Sequence, residues 1–271
     1  MAQKITISHL FIYPVKSLAG ISLQASELDN LGLKYDRRWM LVSPDGLFLS
    51  QRKIPQMALI KTALNDKGRL TLSMQGKEDH LVPEVSDASE TMSVRIWNDH
   101  LEVQKTGDES DAWLSAALGI DCHLVYISDD VERQCDLEFA QKGDKTGFSD
   151  GFPILVISEA SLADLNSRLE DPVEMRRFRP NIVVTGCDAF AEDTWAKFTI
   201  EKLLMKGVKL CSRCILTTVD PDKGERSGDE PLATLSSYRK VGKKVNFGIN
   251  VIQQELGIVK VGDEINVTQS L

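Results

Sequence analysis

Short apolar runs separated by glycine-containing turn sequences extend over most of this chain. WMLVSPDGLFLSQR places two such runs around PDG at 44–46, and ALIKTALNDKGRLTLSM repeats the arrangement around NDKG at 65–68. Glycine tolerates the positive φ that tight turns require, so both segments predict β-hairpins. The chain is therefore expected to fold mainly as short β-strands.

Helical patterns are few by comparison. One helix is predicted from about Ser110 to Leu118, where Gly119 would end it, and another in EASLADLNSRLE, where three leucines share one face before DP at 171–172. The polar segment 129–150 is predicted as a long loop with some helix, and loops of this length are often functional. The other predicted strands include TISHLFIY, CHLVYIS, GFPILVIS, IVVTG, KFTI, VKL, CILTTV, INVIQQ, IVKV and INVT.

These elements predict an α+β fold that is rich in strands, has few helices and contains a β-barrel-like C-terminal domain. No glycine-rich linker marks a boundary in the sequence. We place the boundary at about residue 127, which divides the chain into residues 1–127 and 128–271.

Charge and hydropathy limit the partners of the protein. The formal net charge of -8 argues against a nucleic-acid partner, which normally requires a basic face. No apolar stretch approaches the ~20 residues that span a bilayer, and the N-terminus lacks a signal-peptide pattern, so no membrane contact is expected. Five cysteines without a disulfide-framework spacing are typical of a reducing compartment. We expect a cytoplasmic protein.

Cys211 and Cys214 lie three positions apart in VKLCSRCILTTV. A structural zinc site needs four ligands, usually two such pairs, and the other cysteines stand alone. A redox dithiol normally lies at a helix start, whereas Cys214 precedes a β-branched run that predicts a strand. Two further hypotheses remain open at this point: the cysteines pack as small apolar residues, or one of them is a metal ligand.

Cationic residues surround this pair and form a second group upstream. Arg213 adjoins Cys214, three lysines precede it, and FRPN follows a cluster of arginines at 176, 177 and 179. The cluster is either a solvated surface patch or an anion clamp, because guanidinium groups bind phosphate oxygens bidentately. A thiolate beside anion-binding groups indicates a phosphate-bearing cofactor that carries its own metal.

Several long motifs are similar to those of a known family. CSRCILTTVDPDKG, FRPNIVVTGCDAFAEDTW and ISEASLADLNSRLE resemble the MOSC domain of the mitochondrial amidoxime-reducing component family. YPVKSLAGISL and YDRRWMLVSPDG resemble that family's N-terminal β-barrel region, and EPLATLSSYR and IVKVGDEINV continue the match. The resemblance covers nearly the whole chain. It implies an N-terminal β-barrel region in residues 1–127 and a MOSC domain in residues 128–271.

The resemblance also implies a molybdenum cofactor, a pterin whose dithiolene sulfurs bind molybdenum and whose phosphate anchors the ligand. The family's metal-binding cysteine is the second of its C-x-R-C stretch and corresponds to Cys214, which would act as a ligand to molybdenum and not as a nucleophile. Gly151 and Phe152 replace two hydroxyl residues of the animal members, so only backbone contacts are expected there, and Asn250 replaces a tyrosine. The implied cofactor-contacting positions are Lys16, Ser17, Arg37, Gly151, Phe152, Arg179, Asn181, Ser212, Arg213 and Asn250.

The activity that the resemblance implies is the reduction of small N-hydroxylated compounds: hydroxylamines, amidoximes and N-hydroxylated bases. A cofactor or sulfur carrier without redox turnover is the alternative, and a purely structural β-barrel is a third hypothesis. Pyridoxal phosphate is not expected, because no desulfurase domain or Schiff-base lysine motif is seen. No cysteine follows Cys214, and no flavin or nicotinamide fingerprint occurs, so electrons are expected from a separate ferredoxin, flavodoxin-like protein or flavoprotein reductase.

Overall fold

The computed structural model describes residues 4–226 and 228–270. The strands of its first half are β1 (Ile5–Ile12), β2 (Ile21–Leu23), β3 (Ala25–Asp29), β4 (Gly32–Leu33), β5 (Trp39–Val42), β6 (Lys61–Leu64), β7 (Leu70–Ser73), β8 (His80–Leu81), β9 (Thr91–Ile96), β10 (Asp99–Lys105) and β11 (His123–Tyr126). Those of its second half are β12 (Ile154–Ser158), β13 (Ile182–Thr185), β14 (Trp195–Ile200), β15 (Leu203–Arg213), β16 (Val219–Asp220), β17 (Glu225–Arg226), β18 (Lys240–Val241), β19 (Lys244–Gln253), β20 (Gly257–Lys260) and β21 (Glu264–Ser270).

Three α-helices accompany these strands in the described residues: α1 (Asp108–Leu118), α2 (Glu159–Asn166) and α3 (Leu232–Tyr238). Single 3-10 turns lie at Pro55–Leu59, Met175–Phe178, Ala191–Thr194 and Ile215–Thr218. No helix in the described ranges is long and apolar enough to cross a membrane. The strand-rich α+β class predicted from the sequence is confirmed.

Seven strands close into a β-barrel in the order β12, β13, β1, β21, β14, β15 and β19, and β19 pairs again with β12. All neighbours are antiparallel except β12 and β13, which run parallel. Alternate apolar residues of these strands fill the interior, among them Leu10, Val184, Phe198 and Val251. Closure pairs both edges of the sheet, so the barrel strands leave no open edge for aggregation.

One barrel strand comes from the N-terminal half of the chain. β1 lies between β13 and β21, and Leu10 of β1 pairs with Ile182 of β13. β20 in turn pairs with β3, which adds a C-terminal strand to the N-terminal half. The two halves are therefore joined by backbone hydrogen bonds, and the boundary near residue 127 stays a prediction.

The rest of the N-terminal half forms separate small sheets. β5, β11, β10 and β9 make a four-stranded sheet, and β6, β7 and β8 make a three-stranded one. Both predicted turns are present, with Gly46 at φ 79° and Gly68 at φ 75°. α1 packs on β11 and ends at Gly119 in the left-handed conformation, as predicted.

The structure corrects three local predictions. CILTTV does not continue as a strand after Cys214, because the Thr217 hydroxyl donates to the Cys214 carbonyl and that of Thr218 to the Ile215 carbonyl, which favours a 3-10 turn. The 129–150 segment is a loop without helix. α2 ends at Asn166, whose side chain bonds both backbone groups of Val173 and turns the chain before the predicted DP stop.

Candidate functional site

A cavity of about 120 Å³ opens where β15 ends, between the barrel and the N-terminal half. The two halves supply opposite walls, because β15 ends at Arg213 while the segment after β1 runs past it. All eleven site residues predicted from the sequence line this cavity: Lys16, Ser17, Arg37, Gly151, Phe152, Arg179, Asn181, Ser212, Arg213, Cys214 and Asn250. Residues from six distant segments of the sequence thus meet in one place.

The two cysteines of the pair have different surroundings. The Sγ atom of Cys214 accepts a hydrogen bond from Arg52 Nε at 3.2 Å. Cys211 Sγ accepts one from Arg213 Nη1 at 2.9 Å, and its side chain packs against the apolar cluster around Phe178 and Phe247. Cys211 therefore combines packing with a hydrogen bond, whereas Cys214 begins the 3-10 turn at the cavity wall.

Lys16 is a buried cation at the cavity wall. Its Nζ donates to the Phe148 carbonyl at 2.8 Å and to Asp150 Oδ1 at 2.6 Å. Burial lowers the pKa of Lys16 to about 8, although Asp150 acts in the opposite direction. Lys16 therefore still carries its proton near neutral pH.

Asp150 is the carboxylate that balances this charge. Burial alone would raise the pKa of Asp150, but Lys16 and Arg52 outweigh that effect and hold it well below its usual range. Its side chain is 63% exposed and lines the cavity. Asp150 is thus an anion in the structure at every physiological pH.

Tyr13 lies between two arginines beside the cavity. The Arg37 guanidinium carbon is 4.3 Å from the centre of the Tyr13 ring and that of Arg179 is 4.1 Å from it. Arg37 is bonded to Asp36, whereas Arg179 Nη1 donates to the Leu18 carbonyl at 2.7 Å. Burial, followed by the Arg37 cation, lowers the pKa of Arg179 to about 10, so that it remains charged.

Unusual backbone conformations concentrate at this cavity. Ser17, Arg37 and Arg179 have φ values of 67°, 47° and 56°, in the left-handed region that non-glycine residues seldom adopt. Such strain costs on the order of 1–3 kcal/mol per residue and is typical of functional sites. These backbone angles are evidence for a site that does not depend on the sequence motifs.

Several predicted residues contact the protein itself. The Asn181 amide donates to the Phe11 carbonyl and accepts from Leu155 N and from Arg37 Nη1, so it positions an arginine and joins two strands. The Asn250 amide donates to the Lys209 carbonyl at 3.1 Å. Contact of either side chain with a pterin stays a prediction, as does the role of Ser212.

Gly151 and Phe152 present mainly their backbone to the cavity. A side chain added at Gly151 would meet no atom within 4 Å, and the Phe152 ring is buried against Cys135 and Ile252. Contact of a ligand with the backbone groups of these two residues stays a prediction.

The chain matches two family models, the "MOSC N-terminal beta barrel domain" over residues 4–121 and the "MOSC domain" over residues 143–266. It is 36% identical to mitochondrial amidoxime reducing component 2 of Bos taurus, with 96% of this chain and 82% of the relative covered. It is 37% identical to mitochondrial amidoxime-reducing component 1 of Homo sapiens, with the same coverage of both chains. This chain belongs to the MOSC family.

A further relative of this MOSC protein carries a different name. The molybdenum cofactor sulfurase of Oryza sativa subsp. japonica is 35% identical over 90% of this chain, but the match covers only 32% of the sulfurase. The family resemblance seen in the sequence motifs is confirmed by the two family models and by the bovine and human relatives.

The MOSC cavity also contains residues that the sequence did not single out. Arg52 and Asp150 line it and are bonded to each other at 3.3 Å. Arg52 stands in SQRKIP, away from every predicted site residue, whereas Asp150 ends a long loop directly before Gly151 and Phe152. Their proximity to Cys214 and Lys16 depends on the tertiary fold, so only the structure could reveal it.

Two arginines of the 176–179 cluster lie outside the MOSC cavity. Arg176 is exposed and pairs with Glu174 and Asp222, and Arg177 pairs with Asp220 at 3.1 Å. Both line a separate cavity on the other side of Arg179. Of the three arginines only Arg179 lines the cavity that contains Cys214, and its role as an anion clamp stays a prediction.

The hydrogen-bond donors of the cavity suit an anionic ligand that brings its own metal ligands. Arg179 Nη2 and Arg213 Nε are buried and have no hydrogen-bond partner among the described residues. Within 4–226 and 228–270 no group of three or more His, Cys, Asp or Glu side chains is placed to bind a bare metal ion. Cys211 and Cys214 both line the cavity, but Cys211 is already bonded to Arg213, so Cys214 is the sulfur left for a ligand. Together with several cations it fits a phosphate-bearing metal cofactor.

Proposed function

We propose that this MOSC protein is a molybdenum-cofactor-dependent reductase of N-hydroxylated compounds. One observation carries the proposal: the Cys214 sulfur lies in a cavity lined by all ten of the other residues that the amidoxime-reducing family resemblance implies. The names of the bovine and human relatives support the same reaction class.

Cys214 would hold the metal through its thiolate, and unpaired N–H groups of Arg179 and Arg213 would bind the phosphate. Backbone groups at Gly151 and Phe152 would contact the remaining polar edge of the ligand. When bound, the cofactor supplies a centre that removes oxygen from nitrogen, which consumes two electrons and two protons and releases the reduced nitrogen compound and water.

The protein's own residues would set the electrostatics of this reaction. Lys16, held by Asp150, keeps a positive charge at its Nζ beside the cavity at neutral pH. Arg37 and Arg179 add two cations that are fixed on either side of Tyr13. Preorganised charges of this kind stabilise bound anions without reorganisation. The two electrons would come from a separate donor protein: a ferredoxin, a flavodoxin-like protein or a flavoprotein reductase.

A cofactor or sulfur carrier is the second candidate function, and the match to the rice molybdenum cofactor sulfurase favours it. A carrier would bind the cofactor in the same cavity but would release it, or its sulfur, to another protein. Binding measurements therefore do not separate the two functions, whereas multiple turnover does.

The test is the reduction of a hydroxylamine or an amidoxime by the molybdenum-loaded protein with a reduced viologen dye as electron source. We expect many turnovers per bound molybdenum, with one amine or amidine formed for each two electrons consumed. Loaded protein that reduces less than one equivalent of every compound tested would overturn the reductase proposal and favour the carrier.

A further inference from the structure

Arg52 enters the cavity from the N-terminal half and contacts the Cys214 sulfur directly. Its Nε lies 3.2 Å from Cys214 Sγ, within the range of an N–H···S hydrogen bond. No other described residue donates a hydrogen bond to this sulfur. Arg213, the cation beside Cys214 in the sequence, bonds Cys211 Sγ and the Phe178 carbonyl instead.

Two groups hold the Arg52 side chain over the sulfur. Arg52 Nη2 lies 3.3 Å from Asp150 Oδ2, and the guanidinium carbon lies 4.4 Å from the centre of the Trp97 ring. Asp150 is itself fixed by Lys16 at 2.6 Å, so the bonded groups run from Lys16 through Asp150 and Arg52 to Cys214. An arginine held by two groups loses little further freedom in making a third contact, to the sulfur.

Trp97 is the aromatic residue that packs against Arg52. It lies between β9 and β10 with φ 56°, and 40% of its surface is exposed. The centre of its ring lies 4.8 Å from that of Phe48, and the same ring contacts the Arg52 guanidinium. The positive φ suits the two-residue turn that joins the paired residues Ile96 and Asp99. The turn thus places an exposed aromatic ring against Arg52.

We propose that Arg52 is a positioning residue that donates a hydrogen bond to the sulfur of Cys214 and thereby sets the reduction potential of the metal held by that sulfur. The inference rests on the proposed function. Hydrogen bonds to a ligand sulfur and nearby positive charge draw electron density from the metal, and both stabilise its reduced state. Arg52 is therefore expected to raise the potential, with Trp97 and Asp150 fixing its direction.

The decisive variant is Arg52→Gln, which removes the positive charge and the Nε–H donor. Arg52→Lys keeps the charge without the planar donor, and Trp97→Ala loosens Arg52 without altering any charge. Lys53→Ala is the matched control, because it removes an exposed cation from the adjacent position. The backbone carbonyl of Arg52, which accepts a bond from Arg226, is unchanged in all four variants.

Each purified protein is assayed for molybdenum content, for kcat and KM, and for the fraction of reduced metal at fixed potential by electron paramagnetic resonance. For Arg52→Gln we expect wild-type molybdenum content, a lower kcat with little change in KM, and a tenfold fall in the ratio of reduced to oxidised metal. That fall corresponds to about 59 mV for a one-electron step. Arg52→Lys and Trp97→Ala should shift the ratio in the same direction by less, and Lys53→Ala should not shift it.

Loaded Arg52→Gln and Trp97→Ala proteins with the wild-type potential would overturn the role of Arg52 while leaving the proposed function intact. A loaded wild-type protein without turnover would overturn the reductase, and the comparison of potentials would still decide whether Arg52 tunes the metal. A wild-type protein that takes up no molybdenum would overturn both.

Discussion

An excess of fixed cations around the Cys214 sulfur characterises the cavity at the level of individual residues. Lys16 and Arg37 have carboxylate partners, whereas Arg179 forms no ion pair in the described part of the chain. Its Nη2 is buried without a partner, which is costly unless a ligand supplies an acceptor. This unpaired donor is the strongest local sign of an anionic ligand.

Arg179→Ala should therefore weaken cofactor binding. Charge-assisted hydrogen bonds contribute about 1.5–3 kcal/mol each, so the affinity should fall about ten- to hundredfold for each bond lost. The measurement is the molybdenum that remains after dilution and gel filtration, with melting temperatures to verify folding. Arg176→Ala is the control, because Arg176 is exposed and pairs with carboxylates outside the cavity. Equal retention in the two variants would contradict the role of Arg179.

Lys16 should make the stability of the protein depend on pH in alkaline solution. Folded Lys16 releases its proton near pH 8, whereas the unfolded chain keeps it until its ordinary value of 10.5. Between these values the unfolded state binds more protons, so raising the pH favours the folded state, by on the order of 3 kcal/mol in total. Urea unfolding of the wild type and of Lys16→Met from pH 7 to pH 10.5 measures this. We expect the free energy of unfolding of the wild type to rise, relative to that of Lys16→Met, as the pH rises. A constant difference would show that the Lys16 pKa is not lowered.

At the level of strands and turns, the barrel strand β15 and the turn that follows it position the cysteines. β15 pairs with β14 and β19 through most of its length, and its pairing shifts register at two irregular positions. The chain then turns at Cys214 into the 3-10 turn at Ile215–Thr218. The β-branched composition of that segment predicted a strand, and the prediction failed because threonine hydroxyls compete for the backbone carbonyls.

Close packing within the barrel can be tested at Gly207 in β15. A Cβ added there would lie 1.9 Å from the Trp195 carbonyl oxygen on β14, a clash that only backbone movement can relieve. Gly207→Ala should lower the free energy of unfolding by about 1–3 kcal/mol, the usual cost of overpacking. Gly151→Ala is the matched control, since a Cβ there meets no atom within 4 Å. Chemical unfolding of both variants is the measurement, and equal stability would contradict the tight approach of β14 and β15.

The sequence predicted most of this architecture because its signals are local. Turn glycines indicated the hairpins, and Gly119 marked the end of α1. The MOSC motifs indicated the eleven cavity residues, although spacing alone left the cysteines ambiguous. Arg52 and Asp150 were missed, because their function depends on contacts between residues 98 positions apart in the chain. Such long-range pairings leave no periodicity or spacing in a single sequence.

At the scale of the whole molecule, the cavity depends on both halves of the chain. β1 completes the barrel from the N-terminal side, and the segment that follows it brings Lys16 and Ser17 to the Cys214 wall. Neither half alone contains all the residues that would bind the cofactor. We therefore expect the protein to function as one unit, and the proposed electron donor would have to reach a site that lies where its halves meet.

We predict that turnover requires this donor. Purified, molybdenum-loaded protein should not reduce N-hydroxylated compounds with NADH or NADPH alone, because the sequence contains no fingerprint for a flavin or nicotinamide cofactor. Activity should appear when a reductase system or reduced viologen is added. Rapid turnover with the nicotinamide alone would contradict the requirement for a separate donor.

The most direct test of the account compares molybdenum content and turnover in Cys214→Ala and Cys211→Ala, both expressed in a host that makes the cofactor. Cys214→Ala should lose turnover and most of its molybdenum, because the thiolate that completes the metal ligation is gone. Cys211→Ala should retain most of both, since its sulfur packs and accepts a hydrogen bond from Arg213. Equal molybdenum and equal activity in the two variants would contradict the assignment of Cys214 as the metal ligand.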